Sequence, residues 1–149
     1  MSVMGVTKFE RFFRSTAGAD VDNQDLKRYS ELVNRKIRDL LVRDEAIAKA
    51  NDREIIQPHD LAITKGLQEC IQAFAIFDGE IELKATLEHI TSRPPLDLAM
   101  SVETESSLAT IAGGLSVALA RGFRITDPTM KNPCADDWER AIQIFNLLL

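Results

Sequence analysis

Residues 23–78 read NQDLKRYSELVNRKIRDLLVRDEAIAKANDREIIQPHDLAITKGLQECIQAFAIFD, and this stretch decides the fold. Leu26, Tyr29, Val33, Ile37, Leu40, Leu41, Ile47 and Ala48 recur at three- and four-residue steps, which places them on one side of a helix. Lys27, Arg28, Glu31, Arg35, Arg38, Asp39, Arg43 and Asp44 lie between them as a mixed-charge outer face. No Gly or Pro interrupts the segment from Val21 to Ile56. Asp22 or Asn23 suits the N-cap, where a short side-chain oxygen accepts from unpaired first-turn amides. Such a helix spans roughly 40 Å. Its own half of a 149-residue chain cannot bury that length, so it must cross a partner. The loop Asp52-Arg53-Glu54-Ile55-Ile56-Gln57 follows, and its two β-branched neighbours favour a very short strand. A third helix is expected from Pro58 to about Phe77, with Pro58 in the first turn and Asp60 at the positive end of the dipole.

The length allows one compact core and not two ordinary domains. Apolar residues make up 45% and charged residues 28%, the balance of a soluble globular chain. No apolar run approaches the roughly 20 residues of a membrane helix. The start lacks a signal peptide's pattern, since Lys8, Glu10 and Arg11 follow Met1–Gly5 at once. No membrane association and a cytoplasmic location are expected. Cys70 falls in a helical apolar stripe and Cys134 in a loop with Asn132, Pro133 and Ala135, which is no disulfide framework. The net charge is −5, with 12 basic and 13 acidic residues in 1–78 and 6 basic and 10 acidic in 79–149. An acidic chain is not the electrostatic footprint of a dedicated nucleic-acid binder.

Outward from the central stretch, a first helix is expected over about Val6 to Thr16. Its Phe9, Phe12 and Phe13 form one apolar ridge, read as packing and not as a stacking platform for bases. Gly18 is its C-terminal stop. Asp78-Gly79 marks the midpoint, and a short helix is expected at about Glu80 to Ser92 with Ile81, Leu83, Leu87 and Ile90 apolar. Pro94-Pro95 stops it. Ser101-Val102-Glu103-Thr104 starts a second long helix, with Glu placed at the third helical position as in a capping box. That helix carries Leu108, Ile111, Ala112, Leu115, Leu119 and Phe123 on one face, and ends at Thr126-Asp127-Pro128. Gly113, Gly114 and Ser116 would let another helix approach it closely. A last helix from about Asp136 carries Trp138, Ala141, Ile142, Ile144, Phe145 and Leu147-Leu148-Leu149. The halves repeat in pattern: Asp20-Val21 precedes Asp97-Leu98 by 77 positions, and Pro58 precedes Pro133 by 75.

A short–long–short helix unit with a minimal strand after the long helix resembles the histone fold. Arg11-Phe12-Phe13-Arg14 followed by Ala17-Gly18-Ala19 is similar to the basic–apolar–apolar–basic run and Ala-Gly-Ala of archaeal histones. Arg53 and Asp60 stand seven positions apart around Ile55-Ile56, as a loop arginine and an aspartate do in that family. The resemblance implies a buried clamp between Arg53 and Asp60 that fixes the loop on the third helix, with a donor fork matched to a carboxylate. The whole chain resembles a bacterial family of histone-fold doublets of undetermined function. Asp25-Leu26-Lys27-Arg28, Ile63-Thr64-Lys65-Gly66-Leu67-Gln68-Glu69, Pro94-Pro95-Leu96-Asp97-Leu98, Lys131-Asn132-Pro133 and Ile144-Phe145-Asn146-Leu147-Leu148-Leu149 carry that likeness.

The implied architecture is all-α, with two tandem histone folds, residues 1–78 and 79–149, in one compact domain that forms an intramolecular pseudodimer. The expected core is Phe9, Phe12, Phe13, Tyr29, Val33, Ile37, Leu40, Ile111, Leu115, Leu119, Trp138 and Phe145. The second half departs from the pattern. Seven positions beyond Lys131 stands Trp138, not Asp, and Asp136-Asp137 have no basic partner at the right spacing.

Three functions follow for weighing. The resemblance implies that a DNA-binding architectural protein of the bacterial nucleoid would use Arg11, Arg14 and Arg53, with Lys8 and Lys27 nearby. Against it, Asp20-Val21-Asp22 stand in the first loop where archaeal histones place an arginine, and Glu54 stands in the second. Acidic groups there oppose the phosphate neutralisation that supplies non-specific affinity. A non-enzymatic assembly module of the heterodimerisation type, with an undetermined protein partner, is the reading preferred. The Gly113-Gly114 patch and the apolar C-terminus could offer it a surface, though completing the internal core explains each more simply. Catalysis is not expected. His59 suits a helix-capping role and His89 a surface one, and Asp136-Asp137 and Asp44-Glu45 read as helix-end or solvent charges. No Cys/His cluster has metal-ligand spacing, and neither a phosphate-binding glycine loop nor a Gly-x-Ser-x-Gly elbow occurs. No cofactor or metal is called for.

Overall fold

The structure, a computed structural model, describes residues 3–81, 84, 87 and 95–148. Helix α1 (Val3–Ala17) ends at Gly18, whose φ of +61° suits a residue without Cβ and whose N–H donates to Arg14 C=O at 3.1 Å. Helix α2 (Asn23–Ala50) is capped by Asp22: its carboxylate accepts from Asp25 N–H at 2.8 Å, and Asp25 returns the contact to Asp22 N–H at 3.0 Å. Strand β1 (Ile55–Ile56) follows, then a 3-10 turn at Pro58–Asp60.

The third helix does not start at Pro58. Leu61 turns extended, with ψ 117°, and α3 begins only at Lys65 and runs through Gly79 to Ile81. Thr64 is the reason for the late start, because its hydroxyl accepts from Leu67 N–H at 3.2 Å. The short helix expected at Glu80 to Ser92 lies mostly outside the described residues, although Leu87 is helical and fully buried. Strand β2 (Ala99–Met100) leads into α4 (Val102–Thr126), and α5 (Ala135–Leu148) closes the described chain. The third helical position of α4 is Thr104, not Glu: its N–H donates to Ser101 Oγ at 3.1 Å.

Two loop pairings tie the halves together. Strands β1 and β2 run parallel, Ile55 beside Ala99 and Ile56 beside Met100. Ser101 N–H and the buried Thr104 hydroxyl both donate to Ile56 C=O, at 3.0 and 2.9 Å. Reciprocally, the loop before α2 meets the loop before α5, where Asp20 N–H donates to Lys131 C=O at 2.6 Å. Each long helix is thus flanked by a loop that hydrogen-bonds to the other half.

The core is centred on α4. Residues 111–117 are buried without a break, so the middle of this helix is covered on every side, unlike α2 with its charged outer face. Its most apolar window has a mean hydropathy of 1.3, long and apolar enough to cross a membrane by length and composition, contrary to the sequence expectation that no stretch would be. Burial accounts for that composition, since 67% of the window is enclosed by the protein itself. The expected core residues are buried except Leu40, which is partly buried at the edge. Phe9 and Phe13 meet Tyr29 edge-on at ring separations of 4.8 and 5.6 Å, and Phe12 meets Phe77 at 5.8 Å. Burying each such ring contributes about 1.5–3 kcal/mol. Where α2 and α4 cross, the Tyr29 hydroxyl hydrogen-bonds to Ser116 Oγ, which donates to Ala112 C=O at 2.6 Å. Burial raises the Tyr29 phenol well above its ordinary range, so it stays neutral.

Candidate functional site

Arg53 and Asp60 are brought together by the turn that follows α2. Asp52, at φ 56°, bends the chain, and Arg53 N–H donates back to Ala48 C=O at 3.0 Å. Arg53 Nη1 donates to Asp60 Oδ2 at 2.6 Å, and Nη2 donates to Oδ1. Gln57 N–H also donates to Asp60 Oδ2, at 2.8 Å. Asp60 is buried, while the Arg53 side chain is 29% exposed. The hydrogen bonds from Arg53 hold the Asp60 carboxyl below the usual carboxylate range against the opposing effect of burial. Two of the five guanidinium donors of Arg53 are therefore committed inside the protein.

The other cations weighed for DNA contact lie on α1 and the first turns of α2. Arg11 and Lys27 are exposed and Lys8 is partly exposed. Arg14 is exposed, but its Nε donates to Asp20 Oδ1 at 3.3 Å, so it faces an acid in the loop before α2. On the opposite loop pairing, Asp52 and Glu54 are exposed, and Lys49 is held by Asp97 at 2.9 Å and Glu45 at 3.5 Å. Both loop pairings thus present carboxylates beside their cations.

Three charged residues of α2 lie inside where the sequence expectation placed none of them, and for Asp44 it expected the solvent face. Asp44 belongs to no solvent face: it is fully buried, with Oδ1 accepting from Ala62 N–H at 3.1 Å. Its Oδ2 has no hydrogen-bond partner among the described residues. Burial pushes its carboxyl up to about 7; the Ala62 amide and Arg43 counter this, and negative Asp60 adds to it. Its neighbour Glu45 accepts from Leu98 N–H at 3.0 Å, so that pair is not a solvent charge either. Lys36 is buried and donates to Asn146 Oδ1. Asp25 is buried and accepts from Trp138 Nε1 at 2.9 Å. Spacing alone carried a signal for them. Asp25 precedes Tyr29 by four, Lys36 follows Val33 by three, and Asp44 follows Leu41 by three, all positions of the apolar side.

The Gly113-Gly114 patch is filled from within. A Cβ on Gly113 would stand 2.2 Å from the Phe74 ring, and one on Gly114 would stand 2.5 Å from Ile71 Cγ1. Helix α3 uses this close approach, which leaves no small-residue surface for a partner. Ile144, Leu147 and Leu148 of α5 remain exposed. His59 is exposed in the 3-10 turn, whose N-cap position is taken by Gln57; His89 lies outside the described residues. Asp137 Oδ2 accepts from Cys134 N–H at 2.8 Å at the start of α5. Among the described residues no group of His, Cys, Asp or Glu could hold a metal ion.

These features describe an all-α protein whose two halves are joined through reciprocal loop contacts around a buried central helix. It belongs to the family described as Domain of unknown function (DUF1931), which matches residues 9–146. A crystal structure from Thermus thermophilus is similar to it with a TM-score of 0.85 and 46% identity, covering 97% of each chain. A crystal structure from Aquifex aeolicus is similar with a TM-score of 0.85 and 25% identity, covering 97% of this chain and 95% of that one. An uncharacterized protein of Aquifex aeolicus (strain VF5) is 28% identical over 111 residues, which span 74% of this chain and 65% of that protein.

Proposed function

We propose that the chain consists of two histone-fold units, residues 1–78 and 79–149, closed on each other as a monomeric pseudodimer. It acts as a cytoplasmic, non-enzymatic assembly module that engages a protein partner. The reciprocal pairings, Ile55 with Ala99 and Asp20 with Lys131, support the architectural part, since each half supplies the loop that the other half's long helix needs. The observation that carries the functional part is electrostatic. Arg14 and Arg53 are turned onto Asp20 and Asp60, and the adjoining loops add Asp22, Asp52 and Glu54. A phosphate backbone approaching either loop pairing would meet carboxylates as well as cations.

The second reading, an architectural DNA-binding protein, rests on the exposure of Arg11 and Lys27 together with Lys8. Duplex DNA titrated at low salt and across a salt series separates the two. The assembly reading expects no binding at low salt and a monomer by light scattering. Micromolar binding that falls steeply with salt and with Arg11→Ala or Arg14→Ala would replace it with the DNA reading.

A further inference from the structure

Lys36 is an unusual lining group for a cavity. Its side chain is only 5% exposed, and it borders a cavity of about 130 Å³ between α2, the segment entering α3, α4 and the end of α5. Leu67, Ile111 and Leu115 form apolar walls. Asp39 and Arg43 also line it and are exposed, so the space reaches the surface.

A buried ammonium needs compensation. Lys36 finds the neutral amide oxygen of Asn146 and the carboxylate of Asp39 at 3.5 Å. The Asp39 side chain is itself 56% exposed, so water screens its charge. Lys36 on the inside and the exposed Asp39 and Arg43 at the mouth thus line one cavity, two cations and one screened acid beside apolar walls. The complement of that arrangement is one negative charge carrying an apolar body. A dry cavity of ~150 Å³ accommodates a benzene ring, which sets the size of that body.

We propose that this cavity binds a small organic monoanion, with its carboxylate against Lys36 and Arg43 and an apolar body of about six carbons between Leu67, Ile111 and Leu115. The site is independent of the assembly reading.

The test is a calorimetric or NMR titration of the full chain with benzoate, and with benzamide as the neutral isostere. One saturable site for benzoate is expected, with benzamide at least tenfold weaker. Lys36→Met and Arg43→Gln should each weaken benzoate and leave benzamide unchanged. Arg43 is exposed, so Arg43→Gln keeps the test valid if Lys36→Met does not fold. Absence of saturable benzoate binding, or equal binding of the two probes unaffected by Arg43→Gln, overturns the proposal.

Discussion

Trp138 Nε1 donates to Asp25 Oδ1 at 2.9 Å and joins α5 to the first turn of α2 across 113 positions of sequence. Trp138 stands seven positions after Lys131, as Asp60 stands seven after Arg53. The first half locks its own loop with a guanidinium and a carboxylate. In the second half the corresponding residue is an indole that reaches across to the other half's helix cap.

Trp138→Phe tests that contact. The variant keeps an aromatic ring against Phe123, which Trp138 meets edge-on at 5.1 Å, but leaves the buried Asp25 Oδ1 without its donor. A loss of about 1–3 kcal/mol is expected. It should appear as a lower urea midpoint with an unchanged slope. An unmoved midpoint would mean that the indole contributes packing alone.

Asp60→Asn removes the charge that Arg53 grips and keeps the shape. A destabilisation of about 2 kcal/mol is expected at neutral pH. Because Arg53 depresses the Asp60 carboxyl in the folded protein, this stability is present above the unfolded-state value and is lost as pH falls through the folded one. The gap between wild type and variant should therefore close in acid. A gap that stays constant down to the lowest pH would assign the effect to packing.

Asp44 predicts the opposite trend. Its folded carboxyl is pushed up to about 7 by burial, so between about pH 4 and 7 the folded protein holds a proton that the unfolded chain releases. Stability from this group is fully present at the acid end of that window, declines as pH rises, and levels off above it. The total is on the order of 4 kcal/mol at most. Asp44→Asn should flatten that decline in denaturation midpoints measured from pH 4 to 8, and parallel wild-type and variant profiles would refute the assignment.

Gly113→Ala places a methyl 2.2 Å from the Phe74 ring and forces α3 away from α4. A cost of about 1–3 kcal/mol is expected. Gly122→Ala on the same helix meets nothing within 4 Å and should be neutral or stabilising by up to about 1 kcal/mol. Equal thermal midpoints for the two variants would show that the contact yields without strain.

The sequence by itself determined the helices of α1, α2, α4 and α5 and the minimal strand at Ile55-Ile56. Their apolar period, Asp22, Gly18 and Ser101 at the ends, and β-branching in the loop are local properties that act before any tertiary contact forms. Asp25, Lys36 and Asp44 share the spacing of the apolar side of α2, but their charge assigned Asp44 to the outer face and the sequence expectation placed none of the three inside. Only the tertiary structure decided that charge yields to position there. A side chain on a buried stripe goes inside when the fold brings it a partner: Trp138 for Asp25, Asn146 for Lys36, the Ala62 amide for Asp44. The break between the 3-10 turn and α3 belongs to the same class, because the carboxylate of Asp60 is drawn to Arg53 and Thr64 caps anew. The filling of the Gly113-Gly114 patch does too. Two glycines state that something comes close, and only the path of α3 says that it is Phe74 and Ile71 of the same chain.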